Sequence, residues 1–557
     1  MYVIIPIESW EIMRKEWLSK GKVIIYCITL SFLFLMICSE SSFLYPMNDW
    51  VDGNCFFTMG KSMFQGKVLY VDLFDQKGPL LFLYYGIASL ISYTTFFGVF
   101  LIEVISFSIF LYYAYRLCRL YLKKETSLLT LPIISFLILT LPAFTHGGSV
   151  EEFSLPMLMY SLYSMVKFLK SGDTKPKRSM IFINGIMAGL IATMKFTLLG
   201  FWFAWMASMF FYLLSKKEWK ESILECLIFL SGMAIPIIPW LIYFGIHHAI
   251  GTWIESYVIF NIKYYPTIDT WIMKLFDIIT KPLFFMAQNL GFGIPFMIGI
   301  CVLLFDRFFF KKKSFKWIVI SLYCFLCLGV FCGGISFRYY YFILAPFLIF
   351  GIVAIASWIE RLYHIEWHES RLAHYMIYVT LLVALSYYGC QNTNKFRINQ
   401  SRQDLVQYQF AEIIKQTENP TLLNYGFLDG GFYTTTGIVP NIRYFQKQNI
   451  ANAVFPENIE QQEEAIKKKK VDFVVTRVPI DKGMSYHYIP ELKQNYKKIS
   501  EKNQKYEEHR YRYTLWQKKI ISSDIIFLIE FQLDNDHFQK HQYISSHLLN
   551  ERYNLET

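Results

Sequence analysis

The chain alternates apolar runs close to bilayer length with short loops that hold many of its lysines and arginines, and that alternation leaves few folds open to it. A hydrocarbon slab about 30 Å thick needs roughly 17 to 25 residues of helix per crossing. Runs approaching that length are read at Val23 to Cys38, Phe96 to Tyr115, Leu128 to Ala143, Phe153 to Val166, Met180 to Met194 and Phe196 to Leu214. Others follow at Ile223 to Ile246, Leu283 to Phe305, Trp317 to Phe337, Tyr339 to Trp358 and Leu372 to Tyr388. They predict a polytopic α-helical membrane protein of about eleven spans. With 54% hydrophobic and only 17% charged residues, a 557-residue chain has too much apolar surface for a water-soluble globule.

Charge placement tests that topology. The net charge of +11 would suit a nucleic-acid partner, but the cations sit in short clusters between apolar runs, as the positive-inside rule produces. No nucleic acid is therefore expected. The groups Arg14/Lys15/Lys20/Lys22, Arg116/Arg119/Lys123/Lys124, Lys170/Lys175/Lys177/Arg178, Lys216/Lys217/Lys220 and Arg307/Lys311/Lys312/Lys313/Lys316 fall on one side if the N-terminus is cytoplasmic. The same count requires Leu80 to Ser92 not to cross, so it is read as re-entrant or packed within the bundle. It also favours two spans, rather than one interrupted helix, around Lys195.

Cys38 invites a lipoprotein reading, yet Ile37 precedes it where a lipobox wants a small residue, and further spans follow, so the first run reads as an uncleaved anchor. All ten cysteines lie at or before Cys390, with no disulfide framework or metal spacing. The membrane domain thus spans 1–390, with a first outer loop at 39–79. Residues 391–557 are polar and cysteine-free and predict a small soluble α/β domain on the outer face. In it, Asn458 to Lys470 reads as a helix, and Val471 to Thr476 and Tyr511 to Trp516 read as strands.

Ionisable groups beside a hydrocarbon slab commonly act on a substrate. The first loop holds Asp49, Asp52, Asp72, Asp75 and Lys77, and the expected topology brings to the same face His146, Glu151 and Glu152, Lys195, and the cluster Arg338-Tyr339-Tyr340-Tyr341. Each has a bland alternative. Asp52 could cap the helix that begins near Gly53 and lies along the membrane surface, or act as a general base on a hydroxyl. Asp72, Asp75 and Lys77 could be a solvated ion-paired loop, or Lys77 could hold a lipid-borne phosphate while an Asp orients it. Glu151 and Glu152 could cap a helix or contact an acceptor. Lys195 could snorkel, or meet an anion. Arg338 with its tyrosines could be an aromatic belt, or a phosphate and sugar contact involving Tyr340. His146 reads as a structural polar group.

The segment Asp52 to Leu81, above all Gly66-Lys67-Val68-Leu69-Tyr70-Val71-Asp72-Leu73-Phe74-Asp75-Gln76-Lys77-Gly78-Pro79-Leu80, resembles the first outer loop of bacterial membrane glycosyltransferases of the GT-C fold. These are related to dolichyl-phosphate-mannose protein mannosyltransferases and lipid A aminoarabinose transferases. Gly147-Gly148 with Glu151-Glu152 and Leu155-Pro156, Gly185 to Lys195, and Arg338-Tyr339-Tyr340 are similar to later landmarks of that group.

The resemblance implies an enzyme that moves one sugar from a polyprenyl-phosphate carrier to a hydroxyl-bearing envelope acceptor at the outer face, among membrane lipids. The family's first-loop Asp falls on Asp52. Many members have Asp-Glu there, whereas this chain has Asp52-Gly53, which leaves Glu152 or Asp49 to supply a second acid. No β-trefoil insert is visible, which weakens a protein acceptor. In this scheme Asp52 deprotonates the acceptor while Lys77, Lys195 and Arg338 stabilise the departing phosphate, and neither a cofactor nor a metal is required. The rivals are a polymerase or ligase using diphosphate-linked donors, and a non-enzymatic flippase or transporter of lipid-linked sugars.

Overall fold

Apolar periodicity becomes helix along most of the membrane part. The structure, a computed structural model, describes residues 7–264, 270–334, 336–362, 378–379, 381–383, 394–480, 489–506 and 509–519. Its first helices are α1 (Ile7–Cys38), α2 (Val51–Phe64), α3 (Pro79–Ile91), α4 (Phe97–Cys118) and α5 (Lys124–Leu139). Next come α6 (Val150–Ser171), α7 (Arg178–Ala192), α8 (Gly200–Ser215), α9 (Trp219–Ile246), α10 (Ile250–Ile254) and α11 (Phe260–Tyr264). The last of this part are α12 (Trp271–Gln288), α13 (Leu290–Phe305), α14 (Lys313–Phe331) and α15 (Ala345–Leu362). Among the described residues six helical stretches are long and apolar enough to cross a membrane: Lys20–Cys38, Phe97–Cys118, Phe196–Ser215, Trp219–Ile246, Lys313–Phe331 and Arg338–Leu362. Most of the expected run Leu372 to Tyr388 lies outside the described residues.

The chain does reverse at Lys195. Arg178, opening α7, meets Glu221 in the first turn of α9 at 3.2 Å. Near the end of α8, Tyr212 Oη donates to the Asp173 carbonyl at 3.3 Å. The start of α7 and the end of α8 are therefore neighbours, and Thr193–Lys195 is the turn between two antiparallel helices. The basic loops gather on the face away from that turn: the Lys170 ammonium sits 3.7 Å from the Tyr121 ring centroid, and Tyr121 packs on Phe309 at 5.1 Å.

Two expectations need correction. Leu283 to Phe305 is not one span, because the helix breaks at Asn289, whose Nδ2 donates to the Phe285 carbonyl at 2.8 Å. Gly293 lets the chain fold back tightly there, since a Cβ on it would lie 2.3 Å from the Met286 carbonyl oxygen. Nor does Gly53 to Gln65 lie along the membrane surface: α2 is buried from Gly53 to Ser62. Its apolar side packs on α3, while its polar residues face the C-terminal unit. There Thr58 donates to Asp429 at 2.7 Å, Lys61 Nζ to the Tyr433 carbonyl at 2.8 Å, and Thr434 to Asn54 Oδ1 at 2.8 Å.

That C-terminal unit is built on a four-stranded sheet in the order β1-β2-β4-β3. The strands are β1 (Leu422–Tyr425), β2 (Phe473–Pro479), β3 (Tyr496–Tyr506) and β4 (His509–Lys518). β1 and β2 pair in parallel, joined through the helix Glu457–Lys467, and the other pairs are antiparallel. The helix read at Asn458 to Lys470 and the strands read at Val471 to Thr476 and Tyr511 to Trp516 correspond to Glu457–Lys467, β2 and β4.

Candidate active site

Two tight turns bring the cations of the site together. Lys77-Gly78-Pro79 leads into α3, and Pro79 at the first helical position is preset for that role. The segment lies against the α7–α8 turn, with Gly78 N donating to the Met194 carbonyl at 3.2 Å and Leu80 N to the Thr193 carbonyl at 3.1 Å. Only glycine fits here, because a Cβ at Gly78 would stand 2.2 Å from the Thr193 oxygen. Half-buried Lys77 and buried Lys195 are thereby neighbours.

The Lys195 ammonium is bonded to Glu151 Oε1 and lies 3.6 Å from the centroid of the Tyr340 ring. Glu151 is fully buried, and its second oxygen has no hydrogen-bond partner. A buried cation between a carboxylate and an aromatic face is held in place with hydrogen-bonding capacity to spare, since three ammonium protons outnumber the acceptors named.

Asp52 closes the other side. Trp50, not Asp52, is the residue that precedes α2, and it makes no side-chain cap, so the capping reading of Asp52 fails. Asp52 sits within the first turn, where the helix dipole favours negative charge, and Oδ2 accepts a 3.0 Å hydrogen bond from Tyr339 Oη. Tyr339 and Tyr340 belong to one tight turn, Arg338–Leu344, so a single element touches both Asp52 and Lys195. Trp50 folds over Gly53, where a Cβ would meet its ring at 2.9 Å. That ring is itself wedged between Phe56, His146 and Tyr339, with centroids 5.7, 6.1 and 5.4 Å away.

The remaining candidates divide by role. Glu152 forms a capping box at the start of α6: its own N–H donates to Ser149 Oγ at 3.1 Å and its Oε2 accepts from Gly148 N at 2.7 Å. Asp72 accepts from Val68 N at 2.7 Å and closes a local turn. Asp75 is buried beneath Lys77, accepting from Lys77 N at 2.9 Å and from the Cys55 thiol at 3.3 Å, and burial pushes its carboxyl above the usual range against the pull of Lys77. Arg338 is exposed and takes no part in these contacts.

Asp49 belongs to a second cluster with Glu40, His146 and Arg397. Arg397 Nη1 lies 2.7 Å from Glu40 and 2.5 Å from Asp49, and His146 Nδ1 lies 3.2 and 3.5 Å from the same carboxylates. The ligand atoms of Glu40, Asp49 and His146 are within 4.8 Å of one another, a spacing that suits a metal ion. The Arg397 guanidinium, however, already bridges the two acids. Burial raises the carboxyl of Asp49 to about 6, with Glu40 adding to it, while in Glu40 the pull of Arg397 and His146 overcomes burial and holds it at about 2. Burial opposes charge on His146, but the acids win and raise it above 6.5.

Sequence reasoning missed Tyr339 as the partner of Asp52, Arg397, and two residues of the α10–α11 segment, Tyr257 and Asn261. Tyr339 was itself in the cluster already singled out, but nothing local paired it with Asp52. The others carry no local signal, since each acts on groups far away in sequence.

The family described as dolichyl-phosphate-mannose-protein mannosyltransferase matches residues 76–243. That stretch contains Lys77, Glu151, Glu152 and Lys195, but not Asp52 or Arg338. No curated protein sequence matches the chain. Its fold is similar to the crystal structure of ArnT from Cupriavidus metallidurans bound to undecaprenyl phosphate, with a TM-score of 0.57 at 10% identity, covering 89% of this chain and 98% of ArnT. The apo state of the same protein gives 0.55 at 11% identity, with the same coverage. The likeness is one of fold, and the GT-C architecture read from the first loop is borne out.

Proposed function

We propose that this membrane glycosyltransferase of the GT-C fold transfers a single sugar from a polyprenyl-phosphate donor to a hydroxyl of a cell-envelope glycan, lipid or, with less support, protein. The observation that carries this reading is the arrangement of one carboxylate, Asp52, across from two cations, Lys77 and Lys195, whose turns are joined by the backbone bonds of Gly78 to Met194 and Leu80 to Thr193. Asp52 takes the proton from the acceptor O–H as that oxygen bonds to the anomeric carbon. The bond from that carbon to the carrier phosphate breaks, and its electron pair leaves with the phosphate. Lys77 and Lys195 stabilise the growing negative charge, and Glu151 with Tyr340 aims Lys195. The Tyr339 hydroxyl fixes the rotamer of Asp52. Arg338 meets the donor from the rim, and Asp72 and Asp75 shape the loop that carries Lys77.

The face bearing these groups is read as the outer one, with the N-terminus in the cytoplasm and the C-terminal domain outside, a reading that the basic loops on the opposite face support. That undecaprenyl phosphate is the ligand in the ArnT structure supports a polyprenyl-phosphate partner here. The test compares lipid-linked sugars and envelope glycans in cells lacking the protein, complemented with wild type or with Asp52→Asn. Wild type restores a glycan and consumes its lipid-linked precursor. Removing a general base costs about 10²- to 10⁴-fold in rate, so Asp52→Asn, produced at normal level, leaves the precursor to accumulate. Full restoration by Asp52→Asn would remove Asp52 from the mechanism.

A further inference from the structure

We infer that Tyr257 and Asn261, one helical turn apart on the α10–α11 segment, are positioning residues that clamp the two cation-bearing turns into a single phosphate site. The inference rests on the donor-phosphate reading of Lys77 and Lys195. Residues 255–259 form a wide π-helical turn between α10 and α11, a distortion that recurs at functional sites because it re-aims side chains. Tyr257 is buried, and its hydroxyl bridges both sides of the Lys195 turn: it donates to the Ala192 carbonyl at 2.8 Å and accepts from Phe196 N at 2.9 Å. Asn261 Nδ2 donates to the Gln76 carbonyl at 2.7 Å, immediately before Lys77. It also reaches the Tyr257 carbonyl at 2.7 Å, which fixes its rotamer.

Each turn is thus tied to the other by backbone bonds and, separately, to one helix face. A loop lysine alone is mobile, and two lysines hold a phosphate well only if their separation is set before it arrives. The Tyr257 ring packs edge-on against Phe196 at 5.5 Å, so Tyr257→Phe keeps the packing and deletes only the bridging hydroxyl. Nothing in the helix itself needs that hydroxyl.

The full-length protein in detergent is titrated with farnesyl phosphate, a short polyprenyl monophosphate, and with farnesol, which has the same chain without the phosphate. Lys77→Ala and Lys195→Ala are measured alongside. Tyr257→Phe is expected to weaken farnesyl phosphate about 10- to 100-fold and Asn261→Ala about 5- to 10-fold, with farnesol changed less than about twofold. A purely structural role would lower the melting temperature and weaken both ligands alike, and that outcome overturns the clamp. If the lysine variants lose phosphate affinity while Tyr257→Phe keeps it, the clamp alone is wrong. If the lysine variants keep wild-type affinity, the donor-phosphate reading beneath it has failed.

Discussion

Replacing Gly78 by alanine probes the contact that joins the two cationic turns. The added Cβ would lie 2.2 Å from the Thr193 oxygen, 2.6 Å from its carbonyl carbon and 2.8 Å from the Met194 oxygen. All three are backbone atoms, so no side chain can swing aside. Relieving the overlap means separating the turns by roughly 1 Å, because non-bonded atoms settle near 3.5 Å. That movement stretches the two bonds, 3.2 and 3.1 Å, that hold Lys77 beside Lys195. One charge-assisted hydrogen bond to phosphate is worth about 1.5 to 3 kcal/mol. Losing one through misplacement predicts farnesyl phosphate affinity reduced about 10- to 150-fold. The overlap itself costs about 1 to 3 kcal/mol of stability, seen as a lower melting temperature. Gly251→Ala is the control, since a Cβ there meets nothing within 4 Å. Wild-type phosphate affinity in Gly78→Ala, with the protein folded, would refute the idea that this approach sets the spacing of the lysines.

Glu151→Gln and Lys195→Ala each strand a buried charge and are expected to cost about 3 to 5 kcal/mol, whereas Lys195→Met with Glu151→Leu costs less than either alone; thermal unfolding of the three variants measures this. The acids raise His146 above its unfolded value of 6.5, so its stabilising contribution is full below 6.5 and fades as pH rises through the raised folded value. The melting temperature of wild type should therefore fall towards that of His146→Gln on going from about pH 5 to 8, and a gap that widens with pH would contradict the cluster. Cysteines introduced at Gln65 and Asn503, both exposed, should react with an impermeant reagent from outside intact cells, and one at Ser314 should not. The reverse pattern would invert the orientation.

Local chemistry was legible wherever one stretch of chain decides it. The Ser149-x-x-Glu152 spacing writes its own capping box, and Gly78-Pro79 writes a turn into a helix. The Asp52 to Leu81 motif was enough to identify the architecture. Where the reading went astray, competition between distant segments decided. The stretch after Asp52 has enough apolar side chains to lie on a membrane, yet α3 and the C-terminal unit cover both its sides. The run from Leu283 reads as continuous, yet Asn289 caps the preceding turn and Gly293 allows the return.

By itself the sequence determined the solvent of this protein and where its charges could not rest unattended. Apolar runs must form helices in lipid because no water is there to satisfy the backbone, and a lysine such as Lys195 within them must find an anion or an aqueous site. Only the tertiary structure decided which partner each charge took. Asp52 met Tyr339, 287 residues away, Lys195 met Glu151 and Tyr340, and Asp49 was drawn off to Arg397, while Arg338 remained exposed. The physical reason is that hydrogen bonds and ion pairs act over a few ångströms, and which groups come that close is fixed by how helices pack and turn, down to one π-helical turn that aims Tyr257 and Asn261.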